Sequence, residues 1–160
     1  MDDMPMRLAT RLSAEGEKTK AFFQDMPSDS WELTIYTEGA SWRIRQVFAH
    51  LVNSESGIIS LVKNILGGGT GSPEDFDLDR YNERKVAALV DVSPDNLLSK
   101  FSYARQETVR LVSQMKPEDL LLRGRHPFLG ITTLEEIIKM IYLHNQIHIR
   151  DIRKKLNADR

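Results

Sequence analysis

The chain has 160 residues, 41% of them hydrophobic and 28% charged, with a formal net charge of −1 and no cysteine. We expect one globular domain over residues 1–160, without disulfides, thiolate metal ligands or the basic excess of a nucleic-acid-binding protein. Because no apolar run is long enough for a membrane span and the acidic N-terminus does not resemble a signal peptide, we expect a cytoplasmic protein without a membrane partner.

Helical periodicity marks the first half of the chain. Apolar residues recur at spacings of three and four over residues 4–26, and Pro27 ends this pattern. A connection at residues 29–40 is too long for a tight turn, so we expect it to pack over the other helices. Ser41 is a plausible N-cap for a second helix that runs to Leu66.

A glycine-rich run, GGGTGSP at residues 67–73, stops the second helix. It lacks the Lys-Ser/Thr pair of a phosphate-binding loop, and it follows a helix rather than a strand. We therefore interpret it as a flexible linker.

The second half contains a short helix and two long ones. A short helix is predicted at residues 79–90, and Ser93 followed by proline opens a long helix that ends before Pro117. Residues 120–132 look irregular, and a capping box at Thr133 opens a last helix that runs to about residue 156. No alternating strand pattern is present. The predicted fold is therefore all-α, a four-helix bundle with a short extra helix.

Two histidines lie four residues apart on the last helix, His144 and His148. Such residues differ by about 40° around a helix, so both rings point the same way, one turn apart. Ile137 and Ile141 lie on the same side, which indicates that both imidazoles face the bundle interior. A shared metal ion would satisfy one nitrogen of each ring.

His50, at the edge of the buried face of the second helix, is a third candidate ligand. Three neutral imidazoles suit zinc, nickel, copper or iron(II), and a three-histidine set leaves a coordination position open, as in catalytic sites. The alternative is that His144 and His148 hydrogen-bond polar groups of the first helix and that His50 lies at the surface.

Three motifs together resemble the DinB-like superfamily. They are SWRIRQVFAHLV at residues 41–52, PFLGIT at 127–132 and HNQIH at 144–148. The resemblance implies a four-helix bundle with up-down-down-up connectivity that is often dimeric. It also implies a site for a divalent metal ion, normally zinc or nickel, with His50, His144 and His148 as ligands.

The resemblance also suggests classes of function, because characterised relatives include transferases and isomerases that use bacillithiol, mycothiol or glutathione. Our leading hypothesis from sequence is a metal-dependent thiol S-transferase in which the metal lowers the pKa of a low-molecular-weight thiol that attacks a small-molecule substrate. Alternatives are a metal-dependent hydrolase, a non-catalytic metal-binding or stress-responsive protein, and a structural bundle with inert histidines.

Other polar residues are weaker candidates for the site. Glu55 lies on the buried arc of the second helix and Glu15 interrupts the apolar stripe of the first, so either could act as a general base in a cavity. The alternative for Glu55 is an ion pair with an inward arginine such as Arg105. His126 stands in a loop rich in helix breakers; we expect it to be exposed, although it could reach over an open end of the bundle.

The first two helices carry more apolar residues than one buried stripe needs. Phe22 and Phe23 are adjacent, and Val52 and Ile59 lie on the side of their helix away from His50. Such broad apolar cover is either packed under the 29–40 connection or paired with a second subunit. We predict a homodimer in which these flanks contribute to the interface.

Overall fold

A computed structural model describes residues 3–36 and 41–158. These residues form five α-helices and one β-hairpin, with 3-10 helices at Ser28–Glu32 and Pro117–Leu121. In chain order the elements are α1 (Met4–Gln24), α2 (Ile44–Leu66), α3 (Leu78–Ala88), α4 (Pro94–Ser113), β1 (Arg123–His126), β2 (Gly130–Thr133) and α5 (Leu134–Ala158). No helix in the described part of the chain is long and apolar enough to cross a membrane.

The four long helices form a bundle in which α1 and α2 each pack against both α4 and α5. One apolar cluster joins the ends of α1 and α5 to the beginnings of α2 and α4; it includes Phe23, Phe48, Phe101 and Ile152. A second cluster joins the opposite ends of the same helices; it includes Leu8, Val62, Val112 and Ile137. The helices therefore run up, down, down and up, and the predicted bundle with a short extra helix, α3, is confirmed.

Two predicted helix starts are confirmed by their capping contacts. The Ser93 hydroxyl accepts a hydrogen bond from the backbone N–H of Asn96 at 3.2 Å, and the Thr133 hydroxyl accepts one from the N–H of Glu136 at 3.3 Å. Each bond satisfies a backbone donor that the first helical turn leaves without a partner.

The prediction that Ser41 caps α2 is wrong, because the helix begins three residues later. Backbone pairing extends the chain ahead of the helix: Ile35 donates to Trp42 at 2.8 Å, and Thr34 forms an antiparallel bridge with Arg43. Arg43 is the N-cap instead. Of the predicted 29–40 connection, residues 37–40 lie outside the described residues.

Residues 120–132 are not irregular, as the breakers suggested, but contain a β-hairpin. β1 and β2 pair antiparallel, with Arg123 opposite Thr133 and His126 opposite Gly130. Gly130 has a φ of 77°, a conformation that residues with a Cβ rarely adopt, which lets the chain reverse. Strands of four residues are too short to produce a visible alternation in the sequence.

The glycine-rich run docks on this hairpin, so its interpretation as a flexible linker is wrong for its last residues. Arg125 donates its backbone N–H to the carbonyl of Thr70 at 2.9 Å and accepts from Ser72 at 2.8 Å. Gly71 lies between them with a φ of 90°, and a Cβ there would come within 2.5 Å of the Arg125 backbone. Glycine at position 71 thus allows the loop to hold β1 against the bundle.

The apolar flanks of α1 and α2 are largely covered within the chain. Phe23 is fully buried and stacks on Phe48 and Trp31, at ring-centroid distances of 4.0 and 5.9 Å. Val52 is 4% exposed. The expectation that Phe23 and Val52 contribute to a dimer interface is therefore wrong, and the 29–40 connection, through Trp31, provides part of the cover.

Candidate metal centre

The rings of His50, His144 and His148 converge at the middle of the bundle. The Nε2 atom of His144 lies 3.1 Å from Nε2 of His50 and 2.9 Å from Nε2 of His148. α2 supplies the first ring, and one helical turn of α5 supplies the other two. Each residue offers a ring nitrogen within 4.8 Å of those of the other two.

This spacing fits the donor set of a divalent ion. Two nitrogens bound to one tetrahedral zinc at about 2.0–2.1 Å lie roughly 3.3 Å from each other, so small ring movements would admit an ion. Three imidazoles without a thiolate or carboxylate favour zinc, nickel, copper or iron(II). They also leave a position for water or substrate.

Burial keeps the three rings in the neutral form that binds metals. Desolvation, with a contribution from His148, lowers the pKa of His50 to about 3. Desolvation and the neighbouring imidazoles lower the pKa of His144 to about 2, and desolvation lowers the pKa of His148 despite the nearby Asp151 carboxylate. Metal ions therefore need not compete with protons for these nitrogens near neutral pH.

A tyrosine and a carboxylate fix the orientation of His148. The Tyr36 hydroxyl donates to Oδ2 of Asp151 at 2.7 Å and also lies 2.7 Å from Nδ1 of His148. Because its single hydrogen is directed to Asp151, the hydroxyl oxygen accepts the Nδ1–H of His148. The lone pair of Nε2 is then free and points at the other two histidines, as a metal ligand requires.

His50 has contacts that hold its ring in place. The hydroxyl of Ser54, one turn further along α2, lies 3.3 Å from Nδ1 of His50. The ring of Trp42 packs against the imidazole at a centroid distance of 4.9 Å. Together these contacts direct Nε2 of His50 toward His144.

Glu55 pairs with Arg105, as the alternative interpretation predicted. The guanidinium contacts both carboxylate oxygens at 2.8–3.1 Å, and Thr108 donates a further bond at 2.8 Å. Arg105 also donates to the side chain of Asn145 at 2.7 Å and to the carbonyl of Leu12 at 2.9 Å. Because both oxygens of Glu55 are engaged, the geometry does not support a general-base role for it.

Glu15, a residue of α1, faces α5 and is not part of the cavity wall described below. It accepts from the side chains of Gln146 at 3.0 Å and Arg11 at 2.9 Å. The bond from Gln146, with the charges of Lys18 and Arg11, holds the pKa of Glu15 below its usual value. Its position therefore offers no support for a catalytic role at the histidines.

A cavity of about 560 Å³ opens beside the three histidines, and the rings of His50 and His144 form part of its wall. This volume is within the usual range for small-molecule sites. Most of the remaining wall is apolar; it includes Leu61, Phe76, Phe128, Met140 and Ile147. No lysine or arginine of the described residues lines the cavity.

His126 also lines this cavity, so the expectation of an exposed loop residue is wrong. It ends β1 and is 8% exposed. Burial lowers its pKa, and its ring is near enough to His144 to contribute to the lowered pKa of that residue. The hairpin, which the sequence pattern did not reveal, turns the side chain inward.

Tyr36 and Asp151, which orient His148, were not predicted from the sequence, and His126 was expected to be exposed. Asp151 follows His148 by three positions, so helical spacing could have revealed it. Tyr36 comes from a distant connection, so no local pattern places it beside His148. His126 depends on a hairpin with no clear sequence signal.

Comparisons with known proteins agree with this fold. A family model described as the DinB superfamily matches residues 11–152. YfiT from Bacillus subtilis, described as a probable metal-dependent hydrolase with an unusual four-helix bundle topology, is 19% identical with a TM-score of 0.76; the match covers 96% of this chain and 86% of YfiT. No curated protein matches the sequence.

Two further solved structures share the architecture. An uncharacterised protein from Escherichia coli UTI89 is 12% identical with a TM-score of 0.76, covering 99% of this chain and 96% of that one. ClbS, a colibactin self-resistance protein solved in complex with a dsDNA, is 12% identical with a TM-score of 0.72, covering 96% and 98%. At these identities the likeness establishes the fold alone. The family match, which covers most of the sequence, shows that this chain belongs to the DinB superfamily.

Proposed function

We propose that this protein is a divalent-metal-dependent hydrolase of uncharged small molecules, with His50, His144 and His148 as the metal ligands. The observation that carries the proposal is the convergence of three neutral imidazoles on one point at the wall of a cavity. The description of YfiT as a probable metal-dependent hydrolase with the same fold supports it.

The residues at the site would have distinct roles in the reaction. Nε2 of each histidine would hold the ion, and Tyr36 with Asp151 would keep His148 in its ligating tautomer. A bound divalent ion supplies Lewis acidity, which lowers the pKa of water and polarises a carbonyl oxygen. The apolar wall would bind the substrate and exclude bulk water from the scissile bond.

The wall of the cavity favours hydrolysis over transfer of an anionic thiol. Glutathione and bacillithiol carry carboxylates, whose desolvation is costly without a cationic partner. Among the described residues, Glu55 is the only acidic group of the wall and is compensated by Arg105, and no lysine or arginine faces the cavity. Thiol S-transfer, the leading hypothesis from sequence, stays a prediction and is the alternative to test in parallel.

The proposal is tested by comparing protein loaded with zinc or nickel with chelated protein on a panel of neutral esters, lactones and amides. We expect turnover that chelation removes and that metal restores, with water adding across the cleaved C–O or C–N bond. His144→Gln should abolish it, whereas Arg110→Met on the exposed face of α4 should not. Turnover that is indifferent to chelation, or a product that contains an added thiol, would contradict hydrolysis by this site.

A non-catalytic metal-binding protein is the second candidate, and the same panel separates it, since it predicts metal binding without turnover on any substrate. The complex of ClbS with a dsDNA raises the question of nucleic acid for this chain. With a net charge of −1 we keep the expectation of no nucleic-acid partner. A homodimer and a cytoplasmic location also stay predictions.

A further inference from the structure

The turn of the hairpin fixes the tautomer of His126. Its Nδ1 accepts the backbone N–H groups of Phe128 and Leu129, each at 3.0 Å. A ring nitrogen that accepts hydrogen bonds carries no proton, so the neutral imidazole carries its hydrogen on Nε2. His126 is therefore held as a hydrogen-bond donor.

The donor nitrogen of His126 is left for a ligand. The residue is 92% buried and forms part of the cavity wall, and in residues 3–36 and 41–158 no hydrogen bond engages its Nε2. Burial disfavours the charged imidazole, so the ring stays neutral. Buried donors are normally paired, so an N–H without a partner on a residue that lines a cavity indicates an acceptor on the molecule that fills the cavity.

The rest of the wall defines the body of that molecule. Apolar side chains from four parts of the chain surround the space, among them Leu61 on α2, Phe76 before α3, Phe128 in the hairpin turn, and Met140 and Ile147 on α5. With no described lysine or arginine at the wall, a charged ligand would lose its hydration without compensation from a side chain. An uncharged, largely apolar ligand loses little.

We propose that the cavity binds an uncharged, largely apolar small molecule with a carbonyl-type oxygen, and that this oxygen accepts a hydrogen bond from Nε2–H of His126. The inference rests on the proposed function in placing the substrate in this cavity, and it names the substrate's class. A ligand without such an oxygen would leave the buried Nε2–H donor of His126 unpaired, and this cost makes the cavity favour ligands that carry the acceptor.

Three ligands of similar shape test this proposal by calorimetry or fluorescence titration: 2-acetylnaphthalene, which has a carbonyl, 2-ethylnaphthalene, which lacks it, and 2-naphthoate, which is anionic. In the natural protein we expect the ketone to bind roughly 2- to 12-fold more tightly than 2-ethylnaphthalene, the worth of one net hydrogen bond. In chelated protein, where no cation faces the cavity from the described residues, the naphthoate should bind most weakly.

Two variants distinguish the role of the Nε2–H donor of His126 from the role of its Nδ1 in the hairpin turn. His126→Asn places an oxygen where Nδ1 accepts the two backbone bonds but removes the Nε2–H donor, so the preference for the ketone should disappear. His126→Gln supplies a donor near the position of Nε2, so part of the preference should remain. Circular dichroism and unfolding curves would show that both variants fold.

Equal binding of ketone and 2-ethylnaphthalene by the natural protein, or a ketone preference that survives in His126→Asn, would overturn the proposal. Tighter binding of the naphthoate than of the ketone by chelated protein would also overturn it. The titrations are run on chelated and on zinc-loaded protein. A failure of the proposed function would appear separately, as absent metal binding or absent turnover, while the ketone preference of chelated protein would stand.

Discussion

The hydroxyl of Tyr36 lies 2.7 Å from Nδ1 of His148 and 2.7 Å from a carboxylate oxygen of Asp151. This relationship joins the connection after α1 to the metal-facing side of α5. Burial and the bond to Asp151 raise the pKa of Tyr36, so the phenol keeps its hydrogen and orients the imidazole. A ring that is held in its ligating tautomer needs no reorganisation when metal binds.

Replacement of Tyr36 by phenylalanine should weaken metal binding without unfolding the protein. The loss of the acceptor for His148 Nδ1–H should lower zinc affinity about 10- to 100-fold. Competition titration against a chelator of known affinity measures the change. Tyr103→Phe removes the same hydroxyl at an exposed position of α4 and is the matched control. Affinities of both variants within twofold of the natural protein would count against the role of Tyr36.

Removing one partner of the buried pair of Glu55 and Arg105 should strongly destabilise the protein. Arg105→Met leaves the carboxylate of Glu55, 2% exposed, without its charge partner, and should lower the free energy of unfolding by about 3–5 kcal/mol. Arg110→Met, which removes the exposed pair with Glu107, should cost less than about 1 kcal/mol.

Urea unfolding measures both variants, and the double variant Glu55→Met/Arg105→Met should recover much of the loss, because no unpaired charge remains buried. If Arg105→Met and Arg110→Met lower the free energy of unfolding by the same amount, the prediction that an unpaired Glu55 carboxylate is costly in the interior is wrong.

The metal-free protein should lose stability as the pH falls below the usual histidine pKa. Folding lowers the pKa of His50 to about 3 and of His144 to about 2, so between these values and the unfolded pKa the unfolded chain binds more protons. The contribution of these two residues to stability is therefore complete at pH values above their pKa in the unfolded chain, about 6.5. Below that pH the free energy of unfolding falls, by about 1.4 kcal/mol per residue between pH 7.5 and 5.5.

Urea unfolding of chelated protein at these two pH values should therefore differ by about 3 kcal/mol from these two residues together. In His144→Gln about half of this difference in unfolding free energy should vanish. The comparison separates the contribution of His144 from that of other titrating groups. A difference that is unchanged in this variant would show that the imidazole of His144 is not desolvated by folding.

The predicted homodimer is tested by light scattering. One chain has a mass of 18.3 kDa, and we expect twice this mass at micromolar concentration. Because Phe23 and Val52 are buried in the chain, replacing them would test folding rather than association. A mass near that of one chain would rule the dimer out.

The sequence predicted those parts of the site that depend on helix geometry alone. The four-residue spacing of His144 and His148 fixes their common direction on α5, and the apolar arc of α2 indicated that His50 could face inward. The pairing of Glu55 with Arg105 was also open to prediction, since a buried carboxylate needs a cationic partner.

The residues that the sequence did not reveal depend on contacts between distant segments. Tyr36 contacts His148 across 112 positions of the chain. His126 turns inward because the hairpin forms, and the hairpin is held by Gly71, whose pairing with Arg125 is not visible in any local pattern. The start of α2 differs from the prediction for another reason: pairing of Thr34 with Arg43, within the connection itself, overrides the local capping preference of Ser41.

Calorimetric titration of the chelated protein with zinc tests the central claim most directly. We expect one zinc ion per chain. His50→Gln, His144→Gln and His148→Gln should each weaken zinc binding by well over the roughly 10- to 100-fold that is typical when a residue hydrogen-bonded to a metal-binding side chain is replaced. His126→Asn, a change at the fourth histidine, should leave zinc affinity intact. A natural protein that binds no zinc at micromolar concentration, or one whose binding survives in His144→Gln and His148→Gln, would contradict the claim.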